Sequence, residues 1–302
     1  MEIINALPGA IAQGLIWGIM AVGLYITYRI LDFADLTVDG SICTGGAVCA
    51  MLIVNGVNPW VSLIAALLSG AIAGLITGMF HTFMGIPAIL SGILTQLMLW
   101  SINLKILGQA NLSINPRVYN LSVSMLQIWK TVGIVAAILA TLIAVLYWFF
   151  GTEIGSSIRA TGSNPDMCRS QGINTEVNKV IGLIISNALV ALSGALLVQY
   201  QGFADINMGK GAIVIGLAAV IIGFAVFSKI GRNFAVRLIG VVVGSIIYFM
   251  VYQVIISLGL DKELLKLFSA LLVAIFLAVP YWKNKIGFGK KRVNKSEGEK
   301  NA

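Results

Sequence analysis

The chain has 302 residues, 58% of them hydrophobic and 11% charged, with a mean hydropathy of +0.94, a composition that excludes a soluble globular domain. A net charge of +8 does not point to nucleic acid, because seven of the 20 Lys and Arg residues fall in the polar tail 283–302, where they suit a membrane flank. Cys43, Cys49 and Cys168 form no Cys-x-x-Cys pair and His81 is the single histidine, which argues against a disulfide framework or a zinc site.

The first apolar stretch follows Glu2 rather than a basic residue and runs on to Tyr28, so it reads as a permanent span and not as a cleaved signal. Polar clusters then divide the chain into nine predicted spans: 8–28, 35–54, 59–80, 86–107, 128–150, 179–201, 211–228, 236–259 and 266–282. Each is close to the roughly 20 residues that a helix needs to cross about 30 Å of hydrocarbon. Pro8, Pro59 and Pro87 are expected at helix starts, where the missing N–H breaks no bond. Trp60, Trp129, Trp148 and Trp282 fall near span ends, as interfacial rings do, whereas Trp17 and Trp100 fall mid-span. Placing the basic tail in the cytoplasm puts the N-terminus outside and residues 151–178 and 229–237 inside.

Phe33-Ala34-Asp35-Leu36 recurs as Phe203-Ala204-Asp205-Ile206, and the same offset of 170 carries Gly70 and Gly74 onto Gly240 and Gly244. The halves 8–107 and 179–282 are therefore expected to cross the bilayer in opposite senses, as an inverted repeat. Chance is the alternative in a Gly- and Ala-rich chain, and Gly-x-x-x-Gly by itself serves helix packing.

The start of each copy is polar. Asp35, Thr37, Asp39 and Ser41 open one predicted span beside Thr44 and Gly40, Gly45 and Gly46, and Asp205 and Asn207 precede another. Such segments are expected to be irregular and to sit inside protein or along a hydrated path. These residues are gate or pathway candidates, with helix capping as the alternative for each aspartate. Gln96 and Asn103, two turns apart, share one face of the 86–107 span and either line the same path or bond to a neighbouring helix. Gly209-Lys210-Gly211 lacks the spacing of a phosphate loop, so no nucleotide is expected on this chain.

Residues 151–178 form the longest internal loop. Asn164 suits an N-cap, Pro165 a first turn, Asp166 the positive dipole end and Gly172 a left-handed stop. About two turns of surface helix follow, shaped to dock in a partner's groove through unpaired Asp166, Met167, Arg169 and Ser170, or else simply a well-folded loop.

Within it, Gly155, Arg159, Ala160, Gly162, Asn164, Gly172, Ile173 and Asn174 match the pattern G-x-x-x-R-A-x-G-x-N/E-x-x-x-A-x-x-x-G-I-N. The sequence here resembles the permeases of ATP-binding cassette (ABC) importers in the branched-chain amino acid and ribose group, and the likeness continues through Leu217 to Gly223. The resemblance implies an all-α polytopic chain with the type II importer permease fold, residues 1–282 forming the membrane domain and 283–302 a cytoplasmic tail. It makes Ser163, Asn164, Pro165, Asp166, Met167, Cys168, Arg169, Ser170, Gln171 and Gly172 the coupling helix. It implies cytoplasmic ATPase subunits carrying ATP and Mg, an extracytoplasmic solute-binding protein and a second permease, a homodimer being the expected form. It also places the chain in a prokaryotic plasma membrane, with no cofactor of its own. Leu31 to Ser41 looks like the subgroup linked with tryptophan and tyrosine uptake. Phe224 and the Lys229-Ile230-Gly231-Arg232 loop depart from the family pattern. A stand-alone secondary transporter or channel is the rival reading, and it leaves the capped internal helix unexplained. A membrane enzyme is disfavoured, because no His, Cys or Ser constellation is clustered.

Overall fold

The computed structural model describes residues 2–119, 121–227 and 233–257, with a few residues between 267 and 278. The predicted span 266–282 and the tail 283–302 therefore lie largely or wholly outside the described residues. Among the described residues ten α-helices follow in order: α1 Glu2–Tyr25, α2 Val38–Val54, α3 Pro59–Thr82, α4 Ala88–Leu107, α5 Ile128–Gly151, α6 Glu153–Ser163, α7 Pro165–Ser170, α8 Thr175–Gln201, α9 Ala212–Phe227 and α10 Phe234–Ser257. Two short strands, β1 Asn111–Ser113 and β2 Phe203–Asp205, pair antiparallel across one end of the bundle.

Among the described residues six helical segments are long and apolar enough to cross a membrane, and α2 and α9 are apolar but shorter. At 17 and 16 residues those two reach only about 25 Å, less than a full crossing. The predicted span 35–54 is corrected at its start, where irregular chain occupies residues 35–37, whereas α9 fills 212–227 of the predicted 211–228. Pro8 is a second correction. It lies inside α1, because the apolar residues before it extend the helix by more than a turn, and a proline is tolerated in a membrane helix whose neighbours cover the freed carbonyl.

Helix α8 is the centre of the bundle. Every residue from Ser186 to Tyr200 is buried, against α1 on one side and α2 and α3 on the other. Small residues make this possible: a Cβ at Gly70 or Gly74 would collide with the α8 backbone at Asn187 and Leu183, and one at Gly45 with Ala191. With no hydrophobic drive between helices in lipid, such close approach supplies dispersion contacts and serine-to-backbone bonds. Ser186 Oγ donates to Gly23 O and Ser193 Oγ to Ile16 O, each at 2.7 Å, and Ser245 Oγ donates to Gly14 O at 2.8 Å.

These pairings fix helix directions. The Ser186–Gly23 and Ser193–Ile16 bonds make α1 antiparallel to α8. Gly70 at Asn187 and Gly74 at Leu183 make α3 antiparallel to α8. Ser41 at Asn187 and Gly45 at Ala191 make α2 parallel to it. Gly14 beside Ile246 and Gly18 beside Val242 make α10 antiparallel to α1, and Gly223 beside Gly240 with Gly244 beside Ala219 makes α9 antiparallel to α10. An offset of 170 residues maps α1, α2 and α3 onto α8, α9 and α10, and every helix runs opposite to its counterpart. The glycine landmarks themselves do different work: Gly70 and Gly74 meet α8, whereas Gly244 meets α9 and Gly240 meets Phe227 at its end.

Candidate functional site

After α1 the helix loosens into a π-turn at Ile26–Ile30, and Asp32 takes a positive φ of 52°, the one described non-glycine residue to do so. The chain then re-enters the bundle as an irregular segment. Asp35, 1% exposed, accepts the Thr37 amide on Oδ1 at 2.9 Å and the Asn187 side-chain amide on Oδ2 at 2.8 Å. Asn187 Oδ1 in turn accepts Ser41 Oγ at 2.6 Å. Thr37 Oγ1 lies 2.7 Å from Thr77 Oγ1, which donates to Thr95 Oγ1 at 3.0 Å. A buried polar seam thus ties the start of α2 to α3, α4 and α8. Asn187 is at the middle of α8, so α2 begins about halfway through the bundle.

The second short helix starts at the same depth. From β2 the chain turns back inward through residues 206–211, and Asp39 of α2 receives it: Gly211 N donates to Asp39 Oδ2 at 3.0 Å and Ile213 N to Oδ1 at 2.9 Å. A carboxylate at these orphan amides satisfies them and complements the positive end of α9. Cys43 Sγ donates to Ile206 O at 3.4 Å and accepts from Gly209 N at 3.1 Å, fastening the same turn. The two broken elements share one local device: Asp205 Oδ1 accepts Asn207 N at 2.7 Å, 170 residues on from the Asp35–Thr37 bond.

A cavity of about 230 Å3 opens between α2, α4 and the inward turn, lined by Asp39, Cys43, Gln96, Trp100, Asn103 and Lys210, among others. Both polar atoms of the buried Asn103 amide lack a hydrogen-bond partner. Across the turn a second cavity of about 450 Å3 includes Trp17, Tyr248, Phe249 and Tyr252, with Lys210 again on its wall.

At the opposite end of the bundle from the β-pair, residues 153–175 make a braced corner. Asn164 caps α7 by accepting Met167 N at 3.0 Å, and Gly172 has a φ of +79° after it, as the sequence predicts. The rest departs from expectation. Ser163 belongs to a preceding helix, α6, which holds Gly155, Arg159, Ala160 and Gly162, so the segment is two helices around Asn164. Asp166 and Arg169 are not unpaired: they form an i,i+3 ion pair at 3.5 Å, and Arg169 Nε donates to Thr175 Oγ1 at 3.1 Å. The Asp166 side chain remains 90% exposed and Met167 is exposed as well. Asn178 of α8 donates to Ser157 Oγ and Thr161 Oγ1 at 2.7 and 2.9 Å. Gly162 rests on the Ile30 carbonyl so closely that a Cβ would collide with it.

Of the residues singled out in the sequence, Asp35, Thr37 and Ser41 join the seam, and Asp39, Gln96 and Asn103 converge on one cavity. Asp205 and Asn207 are separate, in the β-pair and the turn after it, where Asn111 Nδ2 reaches Asp205 Oδ2 at 3.4 Å. The aspartates do act as caps or turn anchors, but Asp39 caps a helix distant in sequence. Sequence reasoning missed Asn187, Thr77, Thr95 and Lys210. Asn187 carried a signal: it is an amide inside the charge-free stretch 180–204. Among the described residues no group of three or more His, Cys, Asp or Glu could hold a metal ion.

Comparison with known proteins agrees with this architecture. Residues 7–280 match the family model of the branched-chain amino acid transport system permease component. A tyrosine transport system permease protein of Clostridioides difficile is 39% identical over 91% of this chain and 91% of its own length. An uncharacterised protein of Rickettsia prowazekii, RP368, is 35% identical over 91% of this chain and 97% of its own. The ribose import permease protein RbsC of Escherichia coli K12 is 25% identical over 91% of this chain and 85% of its own. The chain belongs to the family of permease components of branched-chain amino acid transport systems.

Proposed function

We infer that this chain is the membrane-spanning permease of an ABC importer and that it carries an amino acid, with tyrosine or a related aromatic as the leading candidate. The observation that carries the coupling half of this reading is α7: a capped, exposed helix, held at one end of the bundle by Arg169–Thr175 and by the Asn178 bonds to α6. A force on α7 meets α8 directly. The packing of Gly162 on Ile30 also delivers it to the irregular segment before α2. The contacts are a physical route, and ATP binding elsewhere shifts the equilibrium through them without chemistry in this chain.

Opposed directions in each of the three helix pairs, together with the matching Asp35 and Asp205 turns, support an inverted repeat, whose two halves can rock about the half-way helix starts. In this reading Ser163 to Gly172 face the cytoplasm, the N-terminus is outside, and Asp35, Asp39 and the cavity residues lie along the path. Partner ATPases bind ATP and Mg, a binding protein delivers the solute outside, and a second permease copy completes the pathway. This chain lacks an ATPase motif and needs no cofactor. The 39% identity to a tyrosine permease, against 25% to a ribose permease, favours an amino acid over a sugar.

The test is reconstitution. Proteoliposomes holding the permease and its ATPase, supplied with the binding protein outside, should accumulate the solute only when ATP is enclosed inside, on the α7 side. Exchanging charges with Asp166→Arg and Arg169→Asp should release the ATPase and abolish uptake. Uptake at the parental rate without any ATPase would instead identify a secondary transporter.

A further inference from the structure

We propose that the cavity between α2, α4 and the turn 206–210 is a solute station inside the permease, built for the charged head of a zwitterionic α-amino acid. The proposal rests on the transport function inferred above and adds where the solute pauses and what recognises it. Asn103 is 1% exposed, and neither its Nδ2 nor its Oδ1 has a partner. A buried amide without hydrogen bonds is costly, so a primary amide facing a cavity is a donor and an acceptor awaiting a polar guest.

The charges in the same cavity define that guest. Asp39 and Lys210 both line it, yet they do not pair with one another: the ion pair found among the described residues is Asp166–Arg169. Asp39 keeps lone pairs free after accepting Gly211 N and Ile213 N. The Lys210 ammonium can therefore meet a carboxylate, the Asp39 carboxylate an ammonium, and Asn103 either. A neutral sugar matches neither charge. Gln96 adds a second amide, and Trp100, 46% exposed, supplies an aromatic wall at the mouth. The volume of about 230 Å3 suits a single small solute. Lys210 also borders the larger aromatic cavity across the turn, which places it where a carboxylate can be handed from one chamber to the next.

Binding of radiolabelled L-tyrosine to the full-length permease in nanodiscs tests the site, without the binding protein. Saturable binding should be displaced by L-tyrosine and L-leucine, and not by tyramine, 3-(4-hydroxyphenyl)propionate or D-ribose. Asn103→Leu and Lys210→Gln should each weaken binding at least about tenfold, the factor expected for one lost charge-assisted hydrogen bond. Lys210→Arg should retain binding, which separates a charge role from a fold defect if Asn103→Leu is poorly folded. Absence of saturable binding overturns the site, and so does an Asn103→Leu protein that is more stable than the parent and still binds, because the cavity then holds water only. Parental ATP-driven uptake in both variants also overturns it while leaving the importer intact, whereas no ATP-driven uptake by the parent itself overturns the importer reading.

Discussion

Replacing Asn187 by Leu probes the seam that fixes the start of α2. The side chains share one branched skeleton and Leu is the bulkier, so the substitution removes hydrogen bonds without opening a cavity. Asp35 Oδ2 loses its donor at 2.8 Å and Ser41 Oγ loses its acceptor at 2.6 Å. Ser41 can turn to a backbone carbonyl one helical turn back, so the lasting loss is the orphaned carboxyl oxygen, about 1–3 kcal/mol. Side-chain bonds between membrane helices average nearer 0.6 kcal/mol and reach about 1.7, which sets about 1.5 kcal/mol as the expected cost. For a chain of this size, at about 2 cal/mol/K of unfolding entropy per residue, that corresponds to a fall of roughly 2–3 °C in the apparent Tm. Thermal unfolding of the nanodisc-embedded protein, followed by intrinsic fluorescence, measures it. The cycle with Asp35→Ala supplies the control: once Asp35 is gone, Asn187→Leu should cost less than it does alone. A single variant melting within a degree of the parent, with strictly additive effects in the cycle, would refute the seam as a stabilising network.

Asp39→Ala should impair uptake more than Asp39→Asn, because the amide retains one oxygen acceptor for the amides at the start of α9; initial-rate uptake assays distinguish them. Asn164→Ala removes the α7 cap, worth about 1 kcal/mol, and should weaken ATPase binding in a detergent pull-down while solute binding to the permease is kept. Gly162→Val forces a side chain against the Ile30 carbonyl, and should uncouple ATP hydrolysis from uptake or lower the Tm, as measured on the assembled transporter.

The sequence revealed much of the architecture because apolar length and charge-free stretches map directly onto helices in lipid. Asn164, Pro165 and Gly172 delimited α7 through local capping chemistry, which needs no tertiary information. What it could not show depends on partners distant in the chain. Asp39 caps α9, 172 residues away, and no local pattern encodes that. Asp166 and Arg169 looked free because an i,i+3 pair and the Thr175 bond depend on rotamers. Gln96 and Asn103 were legible as one face, but the cavity they share also required the inward turn carrying Lys210. The offset of 170 residues was legible, whereas the helix directions emerge only from the contacts of α8 and α1.

The account stands or falls on α7 being a cytoplasmic lever. The native cysteines are all buried, so Asp166→Cys in a background with Cys43, Cys49 and Cys168 replaced by Ala reports its position. A membrane-impermeant maleimide should label that protein in inside-out vesicles, lose access when the ATPase is bound, and leave intact cells unlabelled. Labelling from the outside of intact cells contradicts the coupling role and, with it, the importer mechanism.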